Sequence, residues 1–224
     1  MTIRAVLFDV GGPLDTEVAA EAYIDQQIRL ALAAEGVAVS DVEYAEANDW
    51  AVQSFAPNAY QSIVWRLGGP DVAARIGSLH FPGRAFELRP GIDQVIRDRH
   101  AEALLLGLAA NQPAAIIAEL DRHGLGQYFT HREVSGHHGF RKPDVRLFLR
   151  ACEDLGVDPE ECIMVGDRID NDITPAKLLG MRTVLFRTGR HIAQQPRSLA
   201  DVPDAEAWSV EELQSALDEL IASS

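Results

Sequence analysis

Basic residues are scarce in this chain, which has 20 Lys and Arg against 34 Asp and Glu over 224 residues, a formal charge of −14. That balance argues against a nucleic-acid partner or an anionic membrane surface, since both are held by clustered Lys and Arg. A small anionic substrate stays open, because a local site can be positive or hold a metal. Cysteine is scarcer still: Cys152 and Cys162 are the whole complement. Two cysteines make no disulfide scaffold and fit a reducing compartment, so a cytoplasmic location is expected. No apolar run approaches the length of a membrane span. The N-terminal run is too short for a signal peptide and is interrupted by Asp9. Repeats and low-complexity tracts are absent. An apolar fraction of 47% and a charged fraction of 24% are ordinary for a globular protein. The chain is long enough for one large domain or for a core with a smaller insertion.

What is present begins with the stretch from Thr2 to Thr16. Ala5-Val6-Leu7-Phe8 has the length and composition of a fully buried strand, and it ends in Asp9 followed by Gly11-Gly12-Pro13. Asp before glycine is also a common turn starter. If the strand belongs to a parallel sheet, however, Asp9 arrives at the carboxyl edge, where open α/β sheets bind ligands. Residues 16 to about 36 then read as a helix, with Thr16-Glu17 as its cap and Gly36 as its stop. Ser40-Asp41 opens a second helix. Tyr60–Leu67 makes a third, closed by Gly68-Gly69-Pro70, and Asp71–Ile76 a fourth. Helices without intervening strands suggest an all-α insertion. Its aromatics, Tyr23, Trp50, Phe55, Tyr60 and Trp65, are expected to form mostly the core of that unit.

The β-α alternation resumes near Leu88. A helix follows Arg89-Pro90-Gly91, and Ala103–Leu108 is the next buried strand, ending in Ala109-Ala110-Asn111. Pro113 is expected to open a helix that runs to His123. Tyr128–Ser135 is expected to be a short strand, and Lys142-Pro143-Asp144 to open an amphipathic helix ended by Gly156. Cys162–Val165 is a further buried strand that leads into Gly166-Asp167 and, five residues on, Asp172. Strand Thr183–Phe186 and a terminal helix from Ser209 to Ala222 complete the pattern.

Asp9, Asn111 and Asp167 therefore stand at three strand ends, which a parallel sheet would gather on one edge, with Asp172 and Lys142 near them. Carboxylates so placed need positive charge between them, and oxygen ligands of this kind suit Mg²⁺ together with a substrate phosphate. The bland alternative makes Asp167 and Asp172 turn and cap residues; the pattern's repetition at two strand ends, with Lys142 alongside, outweighs it. His131, His137 and His138 match no metal-ligand spacing and are expected to be loop residues at the rim.

The order Phe8-Asp9-Val10-Gly11-Gly12-Pro13-Leu14, Leu108-Ala109-Ala110-Asn111, Arg141-Lys142-Pro143 and Val165-Gly166-Asp167 with Asp172 resembles the haloacid dehalogenase-like hydrolase superfamily over nearly the whole chain. The resemblance implies an α/β, Rossmann-like parallel sheet core (residues 1–15 and 87–224) with an inserted α-helical cap (16–86). It implies Asp9 as nucleophile and Lys142 as the group that steadies it. Asp9, the Gly11 carbonyl, Asp167 and Asp172 would form the Mg²⁺ site, and Gly12 and Asn111 would contact a small phosphorylated substrate. Three positions depart from the pattern. Gly11 replaces the second Asp that serves as acid and base, Ala110 replaces a Ser or Thr that binds phosphoryl oxygen, and Pro13 stands where Thr is commonest. Losing general acid–base catalysis costs about 10²–10⁴-fold, and losing one anion donor about 10²–10³-fold. A Mg²⁺-dependent phosphatase is the leading expectation. A 2-haloacid dehalogenase and a catalytically silent binding protein are the alternatives.

Overall fold

The computed structural model describes residues 2–79 and 86–223. Two compact units divide the chain: residues 1–16, 86–192 and 196–224 form one, and residues 17–85 with 193–195 the other.

The first unit is built on a parallel sheet of five strands among the described residues: β1 (Ala5–Phe8), β2 (Leu105–Leu108), β3 (Cys162–Gly166), β4 (Arg182–Phe186) and β5 (Ala205–Ala207). Their spatial order is β2-β1-β3-β4-β5, with Phe8 opposite both Leu108 and Val165. The chain thus starts inside the sheet, at its second position, and grows first to one side and then to the other. The carboxyl end of β1 lies where the order reverses, the position at which such sheets leave a crevice.

Both faces of the sheet are covered, and the strand residues sort between them with a period of two. Val6, Phe8, Ile163 and Val165 join one apolar cluster, while Ala5, Leu7, Cys162 and Met164 join the other. Helices α4 (Ile92–Ala101) and α8 (Val210–Ala222) supply Val95, Ile96, Leu213 and Leu217 to the first face. Helix α6 (Arg146–Leu155) supplies Leu147, Phe148 and Ala151 to the second. Each fully buried Leu, Ile, Val or Phe contributes about 1.5–3 kcal/mol. The two buried thiols lie 3.7 Å apart, Cys152 on α6 and Cys162 on β3, and both are free.

The second unit holds α1 (Val18–Ala34), α2 (Asp41–Gln53) and α3 (Ala59–Ile76) around Ile24, Ile28, Leu32, Tyr44, Ala47 and Ile63. Ser40 and Glu43 form a capping box on α2, and Asn58 caps α3.

Several sequence expectations change. The third and fourth helices are one kinked element, bent at Gly69 (φ 77°) ahead of Pro70. Thr16 does not cap α1: its hydroxyl donates to Glu87 at 2.6 Å, and Glu17 occupies the cap position with a left-handed backbone and no capping side chain. Of the five aromatics expected in the helical core, Phe55 is buried and Tyr60 packs against the core, whereas Tyr23, Trp50 and Trp65 are 43%, 37% and 48% exposed. Trp50 and Trp65 instead stack on each other at 6.1 Å. The core is filled by small and β-branched residues, which pack three helices closely. Tyr128–Ser135 is not a strand; a lone bridge joins His131 to Gly107, flanked by short 3₁₀ turns. Helix α5 (Ile116–Arg122) begins three residues after Pro113, and α6 begins at Arg146 rather than at Lys142. Strand β5 lies between the Thr183–Phe186 strand and the terminal helix, where the sequence pattern marks no element, its three residues being too few for a visible alternation.

Candidate active site

Asp9 follows directly on β1, and its main-chain N–H continues the ladder by donating to Val165 at 2.9 Å. The next residues turn back at once: Leu14 and Asp15 N–H both donate to the Val10 carbonyl, and Gly12 N–H to Asp15. This tight loop holds the Asp9 carboxylate at the sheet edge, where Oδ1 accepts from Val10 N–H at 2.7 Å. Gly12 has φ 84°, and a Cβ there would sit 2.7 Å from the Asp167 Cγ. Glycine is required both by the left-handed backbone and by the close approach of the loop to Asp167.

Asp167 leaves the end of β3, and a single wide helical turn, Ile169–Ile173, brings Asp172 back over Gly166. A Cβ on Gly166 would lie 2.3 Å from the Asp172 Cγ, so that return also depends on glycine. Asp172 is fully buried with both oxygens engaged: Oδ1 accepts from Lys142 Nζ at 2.5 Å and Oδ2 from Arg168 N–H at 3.0 Å. The same Nζ lies 2.9 Å from Asp9 Oδ2. Lys142 is 3% exposed, and its main chain is gripped by the Asn111 amide, which donates to the Lys142 carbonyl at 3.0 Å and accepts from its N–H at 2.8 Å. The expected substrate contact Asn111 therefore spends its side chain on fixing the lysine.

Asp9, Asp167 and Asp172 each offer an oxygen within 4.8 Å of the others. Burial, then Asp172 and Asp9, push the Asp167 carboxyl well above the usual carboxylate range. Burial raises Asp172 to about 6, against the pull of Lys142. Lys142 is drawn down by burial, but Asp172 and Asp9 outweigh it and hold the ammonium above its ordinary value. Three carboxylates and one ammonium leave an excess of negative charge in a nearly dry site. Hard oxygen donors under that repulsion fit a small divalent cation, which would remove the penalty now seen at Asp167.

Sequence reading passed over Arg89. Its Nε donates to the Gly12 carbonyl at 2.7 Å and its Nη2 to Thr188 Oγ1 at 2.8 Å, and the guanidinium lies 4.9 Å above the Phe186 ring. It ties the Asp9 loop to the end of β4. Burial lowers its pKa, while Asp167 and Asp15 oppose that shift. Nothing local in Arg89-Pro90-Gly91 announces this contact, which spans 77 residues. His131 is not a rim residue: it is 1% exposed and bonds Asp154 at 2.9 Å, and burial lowers its pKa despite that partner. His137 is exposed, and His138 stacks on Phe140 with centroids 5.0 Å apart.

A five-stranded parallel α/β sheet with acids converging at its switch point defines a Rossmann-like hydrolase-type site. The chain belongs to the haloacid dehalogenase-like hydrolase family, whose sequence pattern matches residues 3–180. It is 32% identical to the glyceraldehyde 3-phosphate phosphatase of Methanopyrus kandleri, across 97% of this chain and 98% of that one. It is 34% identical to the phosphoserine phosphatase of Thermus thermophilus, over 60% of this chain and 55% of the relative. Among solved structures, the HAD-hydrolase YfnB from Bacillus subtilis, bound to magnesium, superposes with a TM-score of 0.65 at 21% identity, over 97% of this chain and all of the other. The protein is thus a hydrolase of this family with phosphatases among its relatives. Among the described residues no helix is long and apolar enough to cross a membrane.

Proposed function

We propose that the protein is a Mg²⁺-dependent phosphatase acting on a small phosphorylated metabolite through a phosphoryl group carried on Asp9. The observation that supports this most is the placement of Lys142 between Asp9 and Asp172, with Asp167 within 4.8 Å of both acids. In this reading Asp9, Asp167 and the Gly11 carbonyl hold the metal, and residues 16–86 are the cap. Asp172 steadies the site through Lys142 and the Arg168 N–H. Bound Mg²⁺ would neutralise the phosphoryl oxygens and the crowded carboxylates.

A carboxylate such as that of Asp9 needs no separate base to act as nucleophile. Its oxygens are aimed by Val10 N–H and Lys142, so little reorganisation precedes attack on phosphorus. The phosphorus–ester bond breaks as the bond to Asp9 forms, and Lys142 faces the charge that develops. Gly11 offers no proton to the leaving oxygen, so that proton comes from water. Water then hydrolyses the acyl phosphate and returns Asp9 as a carboxylate. Ala110, fully buried in the apolar cluster, gives no donor to the phosphoryl group. Turnover is therefore expected to be slow, by about 10²–10⁴-fold for the missing acid and base alone.

Phosphate release from a panel of phosphorylated metabolites, with Mg²⁺ and in chelator, tests the proposal, with Asp9→Asn as control. Release that needs both Mg²⁺ and Asp9 supports it. Halide release from 2-haloacids in chelator, with no ester turned over, would establish the dehalogenase alternative. Gly11→Asp with Ala110→Ser should raise hydrolysis of an aryl phosphate. A double variant that melts normally, binds Mg²⁺ and stays silent would favour a binding protein.

A further inference from the structure

A cleft of about 410 Å³ opens in the α/β unit between the end of β2 and the loop before Lys142. Asn111, Gln112, Ser135, His138, Phe140 and Arg141 are among its lining residues, and none of the residues lining it is acidic. In a chain with 34 Asp and Glu against 20 Lys and Arg, a lining that holds an arginine and no acid departs from the overall charge, and the nearest carboxylate on its wall, Glu133, is taken up by His138 and Arg150. The neighbouring arginines are neutralised: Arg132 pairs with Asp121, Arg146 with Asp144, and Arg150 with Glu133, Glu153 and Asp154. Arg141 is exposed and forms no ion pair among the described residues.

The walls are fixed rather than loose. Ser135 N–H donates to the Ala110 carbonyl at 3.0 Å and Gly136 N–H to the Gln112 carbonyl at 3.0 Å, which pins the loop to the strand end. His138 and Phe140 stack nearly parallel, 3° apart, with the Arg146 guanidinium 4.9 Å from the Phe140 ring. Asn111 belongs to the cleft and also grips the Lys142 main chain, one residue from Arg141. Strand β2 pairs directly with β1, about 5 Å away, so the cleft lies at the same sheet edge as Asp9.

We propose that this cleft is the subsite for an anionic group on the leaving-group side of the substrate, and that Arg141 is the residue that reads its charge. The proposal rests on the phosphatase reading and adds a substrate class: phosphomonoesters of small molecules bearing a second anion, a carboxylate or another phosphate. Selection for that charge then resides in the α/β unit. The planar guanidinium suits either anion through paired N–H donors. The His138–Phe140 wall bounds the space, with Glu133 pairing His138 at 3.2 Å and Arg150 at 3.7 Å.

The test compares kcat/KM for three esters with Mg²⁺ present: p-nitrophenyl phosphate, phosphoglycolate and 1,3-propanediol bisphosphate. In Arg141→Ala the ratio of anion-bearing to aryl ester should fall about 10- to 100-fold, the range for a hydrogen bond to a charged group. Arg141→Lys should recover part of it. A larger fall for phosphoglycolate assigns the site to a carboxylate, and a larger fall for the bisphosphate assigns it to a phosphate. A ratio that stays within two-fold for both overturns the subsite while leaving the phosphatase reading intact. If the wild type turns over none of the three, the phosphatase reading fails, and calorimetric binding of phosphoglycolate decides the cleft: weaker binding by Arg141→Ala supports it and equal binding overturns it.

Discussion

Lys142→Met removes the ammonium that faces Asp9 and Asp172 while keeping an apolar stem of similar length. At 2.9 and 2.5 Å, each contact has a Coulomb energy of about 6 kcal/mol at an effective dielectric near 20. Much of that is offset by the cost of burying the charges. Breaking a buried pair by deleting one partner nevertheless costs about 3–5 kcal/mol, because the other charge remains. Here two carboxylates remain, with Asp167 within 4.8 Å of both. In chelator at pH 8, Lys142→Met should therefore lower the unfolding free energy by about 3–5 kcal/mol. Without the lysine, the folded-state pKa values of Asp167 and Asp172, already raised, climb further above the unfolded value of about 3.9. Groups raised in this way contribute stability below the unfolded pKa and lose it as pH climbs through the folded one. The deficit should accordingly be widest at pH 8 and narrow toward pH 4.5. Urea titrations followed by circular dichroism across that range measure it, and hydrogen exchange at β1 and β3 amides reads the α/β unit separately from the helical one. A deficit below about 1 kcal/mol, or one independent of pH, would refute the reading of Lys142 as the charge that holds the acids together.

Gly12→Ala should destabilise the α/β unit by about 1–3 kcal/mol and depress phosphate release, since the added methyl meets Asp167 at 2.7 Å on a backbone of φ 84°; thermal melts and turnover check this together. His191 is buried with no hydrogen-bond partner for Nδ1 among the described residues, and burial first, with Arg168 and Arg190 adding, lowers it to about 3. Unfolded chains then bind a proton below pH 6.5 that the native protein refuses until about pH 3, so stability falls with pH in that window. Between pH 7.5 and 5 the wild type should lose about 2 kcal/mol more than His191→Phe; parallel slopes in paired urea titrations would contradict the buried neutral imidazole.

The strands that carry the site are written in short apolar runs, and the period-two sorting of Val6 and Phe8 against Ala5 and Leu7 follows from strand geometry alone. The acids at the ends of β1 and β3 are legible for the same reason, because a glycine turn after a buried run can only be an edge. The exposed Trp50–Trp65 pair was not legible, since helical spacing marks a face without saying whether anything covers it. Nor was the loop between residues 128 and 135, whose apolar residues pack by 3₁₀ turns around a single bridge at His131.

The sequence by itself determined the α/β alternation, the helical segment between β1 and β2, and which carboxylates follow strand ends, since each is a local matter of period, length and turn chemistry. The tertiary structure decided their use: that Lys142 lies between Asp9 and Asp172, that Asn111 holds the lysine's main chain, that Arg89 ties the Asp9 loop to β4, and that Arg141, unlike its neighbouring arginines, has no ion pair among the described residues. These are contacts between residues tens to more than a hundred positions apart. Sheet order and the return of each loop set them, and no local pattern encodes a distance across a sheet edge.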